Sequence, residues 1–363
     1  MEYAGQKPGG HGLKMQIAGN SVGSGAEPFI IAEMSGNHNQ SFERALEIVD
    51  AAARAGAHAI KLQTYTADTM TLDLKEREFF ISDEKSPWKG QSLYDLYKIA
   101  HTPWDWHKPI FERAKNKGLI CFSTPFDETA VDFLEKLGVP IYKIASFENT
   151  DIHLIQRVAE TGKPLIISTG MATQEDLDES VDAARKAGCK DLTLLKCTSA
   201  YPATSENTNL LTIPYLRDRY GCEIGLSDHT LGIGVAISSV ALGATVIEKH
   251  FTLKRSDGGV DSAFSLEPDE MKALVEETKR AWQSLGKVFV APTEAEKPSI
   301  MFRRSLYVVK DMKAGDVLTK ENVRAIRPGL GLSPKEFDRV VGKKVKYDVK
   351  RGTPLIWNCL HDQ

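Results

Sequence analysis

Short apolar runs alternate with longer amphipathic stretches over most of the chain. Apolar runs of the length of buried β-strands occupy residues 29–34, 58–64, 119–124, 141–146, 164–169, 192–197, 222–227 and 245–251. Helical periodicity follows each run, over residues 42–55, 104–117, 128–137, 152–160, 174–187, 210–220, 235–242 and 268–285. A strand followed by a helix, repeated in this way around the chain, predicts an α/β fold of the (β/α)8 TIM barrel type.

Glycines stand where the predicted helices give way to the next strand. They are Gly56, Gly118, Gly138, Gly162, Gly188, Gly221 and Gly243. A glycine just beyond a helix takes the left-handed backbone conformation that ends the helix at little cost. This regular recurrence favours a closed barrel over an open sheet.

The connection after the second predicted strand, residues 65–103, is longer than the others and carries Trp88, Tyr94 and Tyr97. On the catalytic face of a barrel, a long loop often acts as a lid or as a wall for the substrate. A surface excursion with a small core of its own fits the same pattern, so both interpretations stay open at this point.

The barrel pattern ends at Gly286, and we assign residues 15–286 to the barrel. Residues 287–302 include Pro292 and Pro298 and predict a linker. Residues 303–363 predict a small β-rich domain, which buries little core alone and should lean on the barrel or on a partner chain. Residues 1–14 lack the apolar core of a signal peptide, and we interpret them as a disordered leader or an expression remnant.

Composition and charge exclude several classes of protein. Lys and Arg number 46 against 49 Asp and Glu, so we expect no nucleic-acid partner. No apolar run approaches the roughly 20 residues that span a bilayer, and we therefore expect no membrane association and a cytoplasmic location. The cysteines are odd in number and scattered, which predicts buried reduced thiols rather than disulfides or a zinc site.

Polar side chains stand at the end of nearly every predicted strand. The carboxyl ends of barrel strands meet at one rim, where the active sites of this fold lie. The residues at these ends are Glu33, Lys61, Gln63, Ser123, Thr124, Lys143, Ser146, Ser168, Thr169, Lys196, Thr198, Ser227, His229, Glu248 and His250. Unpaired buried charges are costly, so charged residues inside apolar runs indicate a shared site rather than ordinary core.

The residue types at this rim indicate a site for a small anion and a metal ion. Lysines and hydroxyls suit a phosphate group, and two histidines suit an open site for a divalent metal. Glu33 and Glu248 are candidates for proton transfer. Plainer roles stay open here: a structural histidine, a lysine in a buried ion pair, or Ser168 as a helix cap.

Several motifs at the strand ends carry a resemblance to a known family. They read IIAEMSGNHNQ, AIKLQTYTADTMTLD, FSTPFD, YKIASFE, ISTGMA, LLKCTSAYPA, GLSDHT and IEKHFTL. In these motifs the chain resembles the sialic acid synthase family, whose members condense phosphoenolpyruvate with an N-acetylated amino sugar. The resemblance runs from about Phe29 to the C-terminus, and the tail is similar to an SAF, or antifreeze-like, domain.

This resemblance implies roles for the residues at matching positions. Phosphoenolpyruvate would be bound by Lys61, Thr124, Lys143, Ser146, Ser168 and Ser227. A divalent metal, Mn²⁺ with Mg²⁺ or Co²⁺ as alternatives, would be held by His229 and His250. The sugar and water sites would include Glu33, Gln63, Tyr201, Glu248 and Asp261. From the tail, Arg327 would reach the sugar in the partner subunit, which implies a homodimer with a swapped C-terminal domain.

Alternative functions also fit the residues. Lysines inside barrel strands suit a Schiff-base aldolase as well. A non-catalytic carbohydrate-binding protein is the alternative of another class. Within the family, an N-acetylmannosamine-type sugar is the alternative to a diacetamido sugar as substrate.

Overall fold

The computed structural model describes residues 15–23, 25–84, 86 and 88–361. The chain divides into two compact units, Met1–Lys287 and Val288–Gln363. The leader predicted over residues 1–14 lies outside the described residues. Most of the predicted linker groups with the second unit, where Glu294–Phe302 forms a 3-10 helix.

The first unit is built on a closed barrel of parallel strands, in the order β10-β3-β4-β5-β6-β7-β8-β9. The described strands are β1 Met15–Ile17, β2 Asn20–Val22, β3 Phe29–Glu33, β4 Ala59–Thr64, β5 Ile120–Pro125, β6 Tyr142–Ile144, β7 Leu165–Ser168, β8 Leu192–Cys197, β9 Glu223–Asp228, β10 Val246–His250, β11 Ser305–Val308 and β12 Val323–Ile326. The predicted TIM barrel is thereby confirmed.

The described α-helices belong to both units, and most of them connect strands of the barrel. They are α1 Phe42–Ala55, α2 Ala67–Met70, α3 Leu93–Ala100, α4 Trp104–Asn116, α5 Glu128–Leu137, α6 Ile152–Ala159, α7 Gln174–Lys186, α8 Thr212–Tyr220, α9 Gly234–Ala241, α10 Pro268–Leu285 and α11 Phe337–Val340. Helix α1 shows how the sequence sets their limits. The Ser41 side chain accepts a hydrogen bond from Arg44 N, and Gly56 ends the helix with a φ of 83°.

Alternation along the strands decides which side chains enter the barrel. In β3, Phe29 and Ile31 belong to the core cluster inside the barrel, whereas Ile30 and Ala32 pack with the helices outside. Successive side chains of a strand point to opposite faces, so Glu33 follows Ile31 into the interior. The same rule directs Lys61, Lys143 and Glu248 inward from β4, β6 and β10.

A hairpin of β1 and β2 was not predicted. The two strands pair antiparallel, with Met15 opposite Val22. Met15, Ile17 and Val22 are buried in the same cluster as Phe29 and the other inward residues at the amino ends of the barrel strands. Three-residue strands carry too little periodicity to be recognised in a sequence, although this hairpin contributes to the barrel core.

The second unit is small and has its own core. Strands β11 and β12 pair antiparallel, and Leu306, Val308 and Val323 are buried among the aliphatic residues of this unit. Among the described helices of the whole chain, none combines the length and apolar character needed to cross a membrane. All five cysteines are free and buried, which confirms the prediction of buried thiols.

Candidate active site

A cavity of about 400 Å³ lies at the carboxyl ends of the barrel strands. Most of the predicted site residues line it: Glu33, Lys61, Gln63, Lys143, Ser146, Ser168, Tyr201, Ser227, His229, Glu248, His250 and Asp261. Thr124 is fully buried and contacts this group through Lys61, whose Nζ donates a hydrogen bond to Thr124 Oγ1 at 3.2 Å. Arg327 belongs to the second unit, where it follows β12 and is exposed.

Besides Thr124, four residues named for the rim do not line the cavity, namely Ser123, Thr169, Lys196 and Thr198. Ser123 and Lys196 each occupy the position next to an inward residue, so strand alternation turns them to the opposite face. Ser123 Oγ instead lies 2.6 Å from Thr64 Oγ1, and Lys196 Nζ donates to Thr198 Oγ1 at 3.0 Å. The prediction that Ser123 and Lys196 face the common site was therefore wrong.

Two lysines and two glutamates form a buried charged network at the base of the cavity. Lys61 Nζ lies 2.8 Å from Glu33 Oε2 and 3.6 Å from Glu248 Oε2, and Lys143 Nζ lies 3.7 Å from Glu248 Oε1. Gln63 Nε2 donates to Glu33 Oε1 at 2.9 Å. The formal charges of the four groups cancel. Each buried charge is compensated only while its partners are present.

The two glutamates differ in their affinity for a proton. Burial raises the pKa of Glu33 to about 7, although Lys61 opposes the shift. Burial also opposes ionisation of Glu248, yet Lys143 and Lys61 together hold the pKa of Glu248 below its usual value. The network therefore contains one carboxylate that stays ionised and one carboxyl group that exchanges a proton near neutral pH.

The lysines also titrate differently. Burial alone would lower the pKa of Lys61, but Glu248 and Glu33 hold it above the usual value. Burial lowers the pKa of Lys143, which has a single glutamate at 3.7 Å. An anion bound beside Lys143 would stabilise its ammonium form, so this lysine is suited to receive a charged ligand.

Hydroxyl groups complete one side of the cavity. Ser168 Oγ is buried and makes no hydrogen bond to another described residue. Ser146 Oγ accepts a hydrogen bond from Gly170 N at 3.2 Å, and Ser227 Oγ donates to Glu248 Oε1 at 3.2 Å. A Cβ at Gly170 would collide with the side-chain oxygen of Ser146, so the close approach needs glycine. The unsatisfied Ser168 hydroxyl is available to a ligand.

The two histidines lie together at the carboxyl ends of β9 and β10, with ring centroids 5.3 Å apart. His229 Nδ1 donates to Thr198 O at 3.0 Å, so Nε2 is the nitrogen that a metal ion would meet when the ring is neutral. His250 Nδ1 is buried without a hydrogen-bond partner and lies 3.7 Å from Asp261 Oδ2. Burial, with His229 nearby, lowers the pKa of His250 well below its usual value, so this imidazole is neutral, as a metal ligand must be.

These two imidazoles fit a loosely held divalent cation. Within the described ranges, no group of three or more His, Cys, Asp or Glu side chains could hold a metal ion by itself. A cation bound by His229 and His250 would take its remaining ligands from water or substrate. The unsatisfied His250 Nδ1 is the observation that supports such a site.

Aromatic rings continue from the histidines along the cavity. The Tyr201 ring centroid lies 4.5 Å from that of His229 and 5.2 Å from that of Phe264. Trp88 follows, with its ring centroid 6.0 Å from that of Tyr201. Segment 65–103, which contributes Trp88, therefore forms a wall of this cavity.

Glu148 is a cavity residue that our sequence analysis did not single out. It ends the 3-10 helix Ser146–Glu148 just after β6, and its buried Oε2 has no hydrogen-bond partner among the described residues. Burial raises the pKa of Glu148 to about 7. The residue stands in the YKIASFE motif, two positions beyond Ser146, and that proximity was the available signal.

Comparison with known proteins identifies the family. Residues 48–289 match the model of the NeuB family, and residues 303–361 match the SAF domain. The chain is 44% identical to the pseudaminic acid synthase of Campylobacter jejuni over 327 residues, covering 90% of this chain and 95% of the relative. It is likewise 44% identical to the pseudaminic acid synthase of Helicobacter pylori, over 90% of this chain and 96% of that one.

A solved structure agrees with these matches. The N-acetylneuraminic acid (sialic acid) synthetase of Leptospira borgpetersenii superposes with a TM-score of 0.71 at 33% identity, covering 79% of this chain and 95% of that chain. The family match covers more than half of the chain, and the relatives match it over nearly their whole length. The chain therefore belongs to the NeuB family, the sialic acid synthase family, and carries a C-terminal SAF domain.

Proposed function

We propose that this protein is a pseudaminic acid synthase. It condenses phosphoenolpyruvate with 2,4-diacetamido-2,4,6-trideoxy-L-altrose and water, and it releases pseudaminic acid and phosphate. The observation that carries the proposal is the meeting of Lys61, Lys143 and the unsatisfied Ser168 hydroxyl in a cavity that also holds two histidines. The relatives at 44% identity support the choice of sugar, as do the motifs EMSGNHNQS and LYDLYKIAHTPW.

Phosphoenolpyruvate occupies the side of the cavity that carries the lysines and hydroxyls. Its phosphate and carboxylate are anions, and the groups assigned to them are Lys61, Thr124, Lys143, Ser146, Ser168 and Ser227. Their charges and dipoles are held by the barrel before the substrate arrives, so little reorganisation accompanies the reaction. Binding of the anion also offsets the cost of burying Lys143.

The sugar binds in its open-chain form with its aldehyde towards the histidines. A divalent cation held by His229 and His250, Mn²⁺ with Mg²⁺ or Co²⁺ as alternatives, would polarise the aldehyde oxygen. Gln63, Tyr201 and Asp261 line the adjoining part of the cavity and are assigned to the sugar. Burial raises the pKa of Asp261, so this carboxyl group is able to share a proton with a sugar hydroxyl.

Bond formation joins C3 of phosphoenolpyruvate to the aldehyde carbon, whose oxygen becomes a hydroxyl with one of the two protons of the added water, while the other proton leaves with phosphate. Water then adds to C2, and the tetrahedral intermediate loses phosphate with cleavage of the C–O bond, which leaves the 2-keto acid. Glu33 takes the proton of the attacking water, because its pKa of about 7 suits a general base near neutral pH. Glu248 remains ionised and stabilises the positive charge that develops at C2.

We also propose a quaternary arrangement in which the SAF domain reaches a partner subunit. We assign Arg327 to the sugar site of the partner subunit in a homodimer with swapped C-terminal domains. Its exposure in the second unit is compatible with such a contact. Both substrates are small soluble metabolites, and we assign the protein to the cytoplasm.

A phosphate-release assay tests this function. The enzyme is mixed with phosphoenolpyruvate and each of a panel of acetamido sugars, with and without EDTA and added Mn²⁺. We expect fastest release with the diacetamido altrose. Preference for N-acetylmannosamine, or for the sugar of a legionaminic acid synthase such as the 37% identical relative, would reassign the substrate. Binding without release would support the carbohydrate-binding alternative, and inactivation by borohydride with pyruvate would support a Schiff-base aldolase.

A further inference from the structure

The wall of the cavity differs in chemistry from its base. Segment 65–103 contributes these described residues to the lining: Tyr65, Met70, Ile81, Ser86, Trp88, Leu93, Leu96, Tyr97 and Ala100. None of these described residues carries a formal charge, whereas the barrel strands contribute Glu33, Lys61, Lys143 and Glu248. A ligand in the cavity therefore contacts charged groups at one end and a largely apolar surface at the other.

Trp88 ties this wall to the loop after β10. Its indole Nε1 donates a hydrogen bond of 2.8 Å to Val260 O, in the loop that also carries Asp261. Val260 and Asp261 both line the cavity. The hydrogen bond thus joins two parts of the cavity lining that are distant in sequence.

The ends of the segment are fixed as well. Trp104 Nε1 donates to Tyr65 O at 3.1 Å, at the start of the segment. Gln40 Nε2 donates to His101 O at 2.7 Å, near its end. A wall held at three places has a defined shape, which a specificity surface requires.

The row of rings formed by His229, Tyr201 and Trp88 suggests how the sugar chain is oriented in the cavity. Tyr201 lies between His229 and Trp88, with ring centroids 4.5 Å and 6.0 Å away. A sugar whose aldehyde is at the histidines extends along Tyr201 and brings its unreactive end to the wall. Trp88, Met70 and Leu96 are among the apolar side chains of this wall.

We infer that this wall selects the sugar by its C6 methyl group, and that Trp88 and Met70 are specificity-determining residues. The inference rests on the proposed function, since it concerns which acetamido sugar the same site accepts. A C6 hydroxyl placed against the Trp88 ring and the Met70 side chain would lose water without a hydrogen bond from either, since Trp88 Nε1 already donates to Val260 O. Apolar pockets discriminate by about 10- to 200-fold for such changes, so a graded preference is expected rather than complete exclusion.

Two substitutions test the wall, with a third as control. Trp88→Phe keeps an aromatic ring and removes the hydrogen bond to Val260, and Met70→Gln places an amide on the apolar surface at similar size. Tyr94→Phe removes a hydrogen bond in the same segment, to Asp68 Oδ1 at 3.0 Å, from a side chain that does not line the cavity. For each protein, kcat/KM is measured for the diacetamido altrose and for N-acetylmannosamine, together with the KM for phosphoenolpyruvate.

The ratio of interest is kcat/KM for the diacetamido altrose divided by kcat/KM for N-acetylmannosamine. We expect both wall variants to reduce this ratio by about fivefold or more, because the KM for the diacetamido altrose rises. The KM for phosphoenolpyruvate and the behaviour of Tyr94→Phe should stay near wild type. An unchanged ratio in both wall variants would overturn the inference. A similar rise in the KM for the sugar and in the KM for phosphoenolpyruvate would also overturn it. If the wild type releases no phosphate with any sugar, the proposed function fails instead. Calorimetric binding of the two sugars then still decides whether the wall discriminates.

Discussion

Lys61 Nζ lies 2.8 Å from Glu33 Oε2, and the two side chains are only 4% and 1% exposed. A buried pair of this kind is held together by its surroundings, because each partner alone would be an uncompensated charge. Burial nevertheless raises the pKa of Glu33 to about 7, and the nearby Glu248, which shares the same lysine, adds to the shift. The pair thus holds a carboxyl group that is charged or neutral within the physiological pH range.

Glu33→Gln tests the proposed general base. The substitution keeps the size and removes the proton acceptor, so kcat should fall by about 10²- to 10⁴-fold. In the wild type, the ionised form is the active one, so kcat/KM should decrease as the pH falls through about 7. That limb of the pH profile should disappear in the variant. Glu43→Gln, on the exposed start of α1, is the control, and persistence of the limb in Glu33→Gln would argue against the role.

His250→Ala tests the metal site. Removal of one of two imidazole ligands should abolish stoichiometric retention of Mn²⁺ and reduce turnover by at least about 100-fold. The bound metal is measured by elemental analysis after gel filtration, and turnover by phosphate release. His153→Ala alters an exposed histidine of α6 and should change neither quantity. Equal metal content in His250→Ala and the wild type would exclude this residue as a ligand.

Arg327→Ala tests the swapped homodimer. The KM for the sugar should rise about tenfold or more, while the KM for phosphoenolpyruvate stays within about twofold, because the guanidinium is assigned to the sugar alone. Mixing Arg327→Ala with Glu33→Gln should restore part of the activity, since a heterodimer contains one intact combination of barrel and tail. Failure of the mixture to recover activity, with dimers present, would contradict the assignment.

His107 provides a prediction about stability. It is fully buried in α4, and its Nε2 lies 2.8 Å from Thr64 Oγ1. Burial lowers its pKa from 6.5 to about 4, so the unfolded chain binds an additional proton between these pH values. The contribution of His107 to the free energy of unfolding is therefore fully present above pH 6.5. It decreases as the pH falls towards 4, by up to about 3 kcal/mol.

The measurement for His107 is urea denaturation at pH 5 and pH 7. His107→Gln keeps a polar partner for Thr64 but does not titrate, so its free energy of unfolding should change less between the two pH values than that of the wild type. His153→Gln, at the surface, should retain the wild-type difference. If the free energy of unfolding depends on pH as steeply in His107→Gln as in the wild type, other groups cause that dependence.

The barrel and most of its rim were predictable because the burial of a strand and the alternation of its side chains both produce a pattern among neighbouring residues of the sequence. Buried parallel strands appear as unbroken apolar runs, and a charged residue such as Glu33 or Lys61 within a run is conspicuous. Every second residue of a strand faces the barrel interior, which brings these side chains together once the barrel closes. The same rule explains the errors, since Ser123 and Lys196 stand one position away from the residues that face the interior.

Other features depend on contacts between distant parts of the chain. The hydrogen bond from Trp88 to Val260 O joins residues that no local pattern relates, so the sequence left segment 65–103 open between a wall and a surface excursion. The hairpin that contains Met15 is too short for a periodic signal, and Glu148 gains its importance from burial beside the cavity. These properties arise from tertiary packing, which propensity and spacing do not encode.

The fate of the bridging oxygen of phosphoenolpyruvate tests the central claim most directly. The enzyme is incubated with the diacetamido altrose, Mn²⁺ and phosphoenolpyruvate labelled with ¹⁸O between C2 and phosphorus. Addition of water to C2 with C–O cleavage predicts one released phosphate per sugar consumed, with the ¹⁸O label in that phosphate. Retention of the label in the keto acid, or release of phosphate without formation of a nonulosonic acid, would contradict the account.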